Sequence, residues 1–111
     1  EPPAMQPAEL AALLSAASPP AVRIIDVRAP HEFAAGHLPG AVNLPLPELP
    51  RHLGNLPVES RLVFVCRGGG RSRTACALAF GAGHRGAASL EGGLLAWAAI
   101  VDPALVVASA D

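Results

Sequence analysis

The sequence predicts an α/β layer fold built on a mainly parallel sheet. Three observations carry this. Short apolar runs alternate with helical patterns; the clearest run, LVFV within residues 61–65, is apolar on both faces as a central parallel strand requires; and the twelve prolines and eleven glycines are spread through the connections. Residues 7–17 hold Leu10, Leu13 and Leu14 at helical spacing, with Pro7 tolerated in the first turn and Ser18-Pro19-Pro20 as the stop. Residues 22–27 form a short β-branched run that delivers Asp26 and Arg28 to a carboxyl end. A short helix is expected over 30–35, turns over 36–40, a brief strand over 41–44 and one or two helical turns over 47–53. After the strand at 61–65, a helix over 72–80 ends at Gly81 and Gly83, followed by a strand over 87–90 and a helix over 93–99.

The bulk numbers narrow the partners. The 111 residues suit one domain spanning 1–111, with a core at about 7–100 and ends that read as linker or boundary. The chain opens on Glu1 rather than Met, so EPP reads as a trimmed end, a processed end or a linker. A formal net charge of -1 gives no electrostatic grip on nucleic acid, and no apolar run nears the roughly 20 residues of a membrane span. All eight basic residues are Arg, a compositional trait that also suits fixed anion recognition. Two cysteines ten positions apart make no disulfide framework, which favours a reducing compartment, the cytoplasm by default.

The chemistry gathers in CRGGGRS, residues 66–72. A strand that delivers Cys66 to a tight loop, with a helix beginning near Ser72, aims backbone N–H groups and the positive end of a helix dipole at one point. Gly68, Gly69 and Gly70 let that loop close around a small anion, and Arg67 and Arg71 add positive charge. A thiol in such a field should lose its proton more readily than a free cysteine, which makes Cys66 a candidate nucleophile. Cys76, among alanines inside the next helix, reads as a small core residue or else a resolving thiol. Asp26, Arg28 and Glu32 lie beyond a neighbouring strand. A carboxylate there either pairs with Arg71 and fixes the loop or, at Glu32, simply caps a helix. His37 suits a turn, His31, His52 and His84 suit the surface, no pair has metal-ligand spacing, and Trp97 is a core anchor.

These residues resemble the rhodanese family from about 22 to 97. IIDVRAPHEFAAGHLPGAVNLP is similar to its first signature, CRGGGRS to its active-site loop and LEGGLLAW to its closing signature. The resemblance implies a rhodanese-like three-layer fold: a five-stranded, mainly parallel sheet with helices on both faces. It also implies sulfurtransferase chemistry, in which Cys66 carries a persulfide from thiosulfate or a related donor to cyanide or a small or protein thiol. The N–H groups of residues 67–71 would stabilise the anion, Arg67 and Arg71 would receive the donor or shape the loop, and no cofactor is needed. The chain departs at its ends: the family's strand before the first helix is absent or unrecognisable, and AAIVDPALVV replaces the usual ending.

Two rivals remain. A phosphatase or arsenate reductase of similar fold generally has five residues between Cys and Arg, whereas four lie between Cys66 and Arg71. One residue fewer shortens the loop by about 3.3–3.6 Å of contour, which suits sulfur better than a phosphoryl group. A non-catalytic partner-binding or sensing module of the same family is the other rival, and such modules commonly lack the cysteine kept here.

Overall fold

The computed structural model describes residues 3–16, 22–58 and 61–109. The elements in chain order are β1 (Ala4–Met5), α1 (Pro7–Ser15), β2 (Val22–Asp26), α2 (Pro30–Ala35), β3 (Val42–Asn43), α3 (Leu49–His52), β4 (Arg61–Val65), α4 (Gly70–Gly81), β5 (Ala87–Leu90) and α5 (Gly93–Ile100). Two 3-10 turns, Leu46–Glu48 and Leu53–Asn55, flank α3. The five strands lie in the order β1-β5-β4-β2-β3, and every pairing is parallel.

Alternation along β4 builds both faces of the sheet, because successive side chains of a strand point to opposite sides. Val63 and Val65 join Ile24, Leu90, Leu10 of α1 and Leu94 and Trp97 of α5 in one core. Leu62 and Phe64 join Ile25, Leu49 of α3 and Ala75, Cys76 and Ala79 of α4 in the other. These are three layers, with Trp97 as the expected anchor. The small residues on α4 let that helix lie close to the sheet.

Several boundaries differ from the sequence reading, each for a tertiary reason. The strand before the first helix does exist: Ala4 and Met5 pair with Ser89 and Leu90, and Met5 is buried. Two residues between Pro3 and Gln6 leave no periodic signal, so β1 is defined by the edge of β5 that it covers. The helix α4 begins at Gly70 rather than residue 72, because Gly69 adopts a left-handed φ of 105° and its carbonyl accepts the Arg73 N–H at 3.1 Å. The first helix ends at Ser15; the expected stop at 18–20 lies outside the described residues. His84 is buried rather than on the surface, with Nε2 2.9 Å from the Leu53 carbonyl, tying the end of α4 to the turn after α3. The unusual ending folds back, and Val101, Leu105 and Val107 pack on the α1/α5 core. The backbone of Val106 crosses Gly36 so closely that a Cβ there would collide with its carbonyl.

At the carboxyl end of β2, Asp26 and Arg28 form a fully buried ion pair. Asp26 Oδ2 accepts from Arg28 Nη2 at 2.7 Å, Oδ1 accepts from Nε at 2.9 Å, and Nη2 also donates to the Gly36 carbonyl at 2.8 Å. Removing one partner of a buried pair strands the other charge, whereas removing both exchanges it for packing. Asp26→Leu should therefore cost about 3–5 kcal/mol in urea denaturation, and the double variant Asp26→Leu/Arg28→Met distinctly less. A double variant no more stable than the single would contradict this.

Candidate active site

The carboxyl ends of β2 and β4 are adjacent in the sheet, with Asp26 level with Val65. Ligands of parallel sheets bind beyond such ends, where neighbouring strands lead their chains apart. Cys66 leaves β4 here and is only 1% exposed. Its Sγ accepts the Gly69 N–H at 3.1 Å and the Ser72 N–H at 3.3 Å. The Ser72 N–H belongs to the first turn of α4, where it has no helical partner and is free to turn to sulfur. Of residues 67–71, only Gly69 makes such a bond. The two N–H groups that reach Sγ itself are thus those of Gly69 and Ser72, the second brought there by helix onset at Gly70.

The loop is held from two sides. On one, the N–H groups of Leu94 and Leu95 at the start of α5 donate to the carbonyls of Cys66 at 2.8 Å and Arg67 at 3.0 Å. Gly93 makes this approach possible: its φ is 64°, and a Cβ there would lie 2.5 Å from the Arg67 oxygen and 2.6 Å from the Cys66 oxygen. On the other side, Arg71 Nη1 and Nη2 donate to Glu32 Oε1 and Oε2 at 2.7 and 3.0 Å. Glu32 is buried in α2, and its Oε1 also accepts the Ala29 N–H at 3.1 Å, so it both caps its helix and holds Arg71. The Arg71 hydrogen bond holds the Glu32 carboxyl below its ordinary 4.5, against the opposing effect of burial. The same bond raises Arg71.

The remaining candidates divide. Asp26 and Arg28 pair with each other at the carboxyl end of β2. Arg67 is half-buried, and its Nε has no hydrogen-bond partner among the described residues. Gly68 and Gly70 are exposed in the loop. Arg71 keeps a third of its side chain exposed and forms part of the wall of a cavity of about 390 Å³, otherwise lined by Val27, Pro30, Pro45, Leu46 and Pro47 among others. Cys76 is buried in α4 with its thiol 3.7 Å from the Pro3 carbonyl, and burial pushes that thiol up. Both cysteines are free.

Sequence reasoning passed over two contributors. The sequence reading places Gly93 at the start of a helix and within LEGGLLAW but assigns it no part in the loop, although consecutive glycines before an apolar helix do signal a close backbone approach. Ser89 falls in the expected strand over 87–90 with no role assigned to it, yet its hydroxyl lies 2.9 Å from Ser72 Oγ. A lone polar side chain in a buried run was the available clue.

Two outcomes follow from this geometry. Gly40 and Gly93 both have positive φ, but a Cβ at Gly40 meets open space. Gly40→Ala should cost about 1–2 kcal/mol of strain, and Gly93→Ala at least about 3 kcal/mol, measured by urea denaturation. Equal losses would mean that the loop yields freely. Because the Glu32 carboxyl is lowered in the folded protein, its stabilisation is complete above the unfolded value near 4.5 and fades as pH falls through the lower folded value. The stability gap between wild type and Glu32→Gln should therefore be full at pH 7 and shrink in acid; a gap independent of pH would refute the pairing as its source.

The family model for the rhodanese-like domain matches residues 6–100. A protein of Allochromatium vinosum named sulfurtransferase is 38% identical over 77 residues, 69% of this chain and 72% of that one. The thiosulfate sulfurtransferase GlpE of Pseudomonas entomophila is 31% identical over 74 residues, covering 67% and 68%. The structure of a human single-domain sulfurtransferase, TSTD1, superposes with a TM-score of 0.81 at 32% identity over 90% of this chain and 98% of that one. A strand-end cysteine at the head of a glycine loop, on a five-stranded parallel sheet and within a match that spans nearly the whole chain, places this protein in the rhodanese-like domain family.

Proposed function

We propose that the protein is a rhodanese-type sulfurtransferase that carries a sulfane sulfur as a persulfide on Cys66. The observation that carries this reading is the Cys66 sulfur at the carboxyl end of β4, facing the N–H groups of Gly69 and Ser72, donors suited to negative charge on sulfur. The relatives named sulfurtransferase support the reaction class. The donor is thiosulfate or a related small anion, and the acceptor is cyanide or a thiol, small or on a protein partner. The reaction is ping-pong. The Cys66 thiolate attacks the outer sulfur of thiosulfate and sulfite departs; the acceptor then attacks the bound sulfur and the thiolate returns. These steps use no metal or organic cofactor.

The other residues position this chemistry. Arg71, anchored to Glu32 yet partly exposed, supplies charge for an anionic donor at the loop. Arg67 assists from the same loop, Gly68, Gly69 and Gly70 let it turn, and Asp26 with Arg28 stiffens the strand end beneath it. A single domain with its core at about 7–100, working in the cytoplasm, accommodates all of these parts. Among the described residues no helix is long and apolar enough to cross a membrane. Sulfur suits the loop better than phosphate because only four residues separate Cys66 from Arg71, which leaves a short loop for a tetrahedral phosphoryl group.

Mass analysis after exposure to thiosulfate is the direct test. Wild type should gain one sulfur atom, reversibly on adding a thiol reductant; Cys66→Ser should gain none and lose sulfur transfer, and Cys76→Ser should keep most activity. Full activity in Cys66→Ser would overturn the assignment. Wild-type hydrolysis of an aryl phosphate faster than sulfur transfer would favour a phosphatase, and no sulfur gain with no turnover would favour a binding module.

A further inference from the structure

Ser89 is the one polar side chain of β5, a strand buried along its whole length. Its hydroxyl lies 2.9 Å from Ser72 Oγ, and both residues are buried. A hydroxyl has one proton and two acceptor lone pairs, so the directions of the bonds around Ser72 can be worked out. Ser72 Oγ has three polar neighbours: the Gly69 carbonyl at 3.1 Å, Cys66 Sγ at 3.4 Å and Ser89 Oγ. With Cys66 as a thiol, its S–H donates to Ser72 Oγ, Ser72 donates to the Gly69 carbonyl, and the remaining lone pair of Ser72 takes the Ser89 proton. With sulfur anionic, sulfur only accepts. The Ser72 proton then turns to it, and Ser89 still donates.

We propose that Ser89 is a positioning residue for sulfur transfer. It keeps Ser72 Oγ an acceptor, so the single Ser72 proton is free to follow negative charge on Cys66. This rests on the sulfurtransferase reading and adds control of one half-reaction to it. In loading, the thiolate forms an Sγ–S bond to the outer sulfur of thiosulfate, and sulfite leaves with the electron pair of the broken S–S bond. In discharge, the carbon of cyanide bonds that outer sulfur, the Sγ–S bond breaks, and its electron pair returns to Sγ as thiocyanate departs. The relay stabilises the thiolate that discharge regenerates, and donation from Ser89 strengthens the Ser72 hydrogen bond in turn. Loading is less sensitive, because a poorly stabilised thiolate is scarcer but more nucleophilic.

Single-turnover kinetics separate the halves: sulfite release on mixing with thiosulfate, and thiocyanate formation on mixing loaded protein with cyanide. Ser89→Val removes the donor, whereas Ser89→Thr, of nearly equal size, keeps it. The valine variant should discharge about fivefold more slowly than the threonine variant, with loading rates within about twofold of each other. Ser89→Ala, smaller than the native residue, should show the same selective slowing against wild type and serves if the branched side chains do not fit the strand. Equal discharge with and without the hydroxyl, or equal slowing of both halves, would overturn the proposal, since a distorted loop harms both. A wild type that never loads sulfur would instead overturn the sulfurtransferase reading itself.

Discussion

The start of α5 is bonded to the carbonyls of Cys66 and Arg67, and the geometry of the sulfur depends on that contact. Two N–H groups of one helix hold the loop's entry from below, while Gly93 allows an approach that a single methyl group would block. With the entry fixed, the left-handed Gly69 can turn the chain straight into α4. The Gly69 and Ser72 N–H groups then meet at Sγ. The closing LEGG segment is thus part of the loop's foundation, although it contributes no side chain to the sulfur.

The opposite wall is electrostatic. Glu32 and Arg71 join residues 39 positions apart, and the pair behaves as a brace because the guanidinium meets the carboxylate through two parallel bonds. Asp26 and Arg28 supply a second, fully buried pair at the end of β2, together with Asn43 Nδ2, which donates to the carbonyls of Asp26 and Arg28 at 3.0 Å each. Buried ion pairs are weak sources of net stability. Their value here is geometric: they hold strand ends and helix starts in the relation that the loop needs. Backbone clamps below and ion pairs beside leave the loop few ways to relax, which keeps Sγ and its two N–H donors in one relation.

Much of this was legible before folding was considered. The strand at 61–65, the helix at 30–35 and the strand at 87–90 coincide with the structure, because apolar runs and Pro or Gly boundaries are local signals that local geometry obeys. The pairing of Glu32 with Arg71 was one of two readings of Glu32, and the structure contains both, since the same carboxylate takes the Ala29 N–H and the guanidinium. The burial of His84 and the existence of β1 were not legible. Each depends on a partner distant in sequence, the Leu53 carbonyl and the edge of β5.

The sequence by itself determined the layer architecture, the cysteine at a strand end, the glycine loop and the charges around it, because each is written in spacing and residue type along a short stretch. Only the tertiary structure decided which N–H groups reach sulfur, that Ser89 stands behind Ser72 from 17 positions away, and that Arg67 Nε has no partner among the described residues while Arg71 is locked. The reason is physical. Strand order and the contact at Gly93 set where backbones separated by dozens of residues meet, and a hydrogen bond depends on tenths of an ångström that no periodicity along the chain encodes.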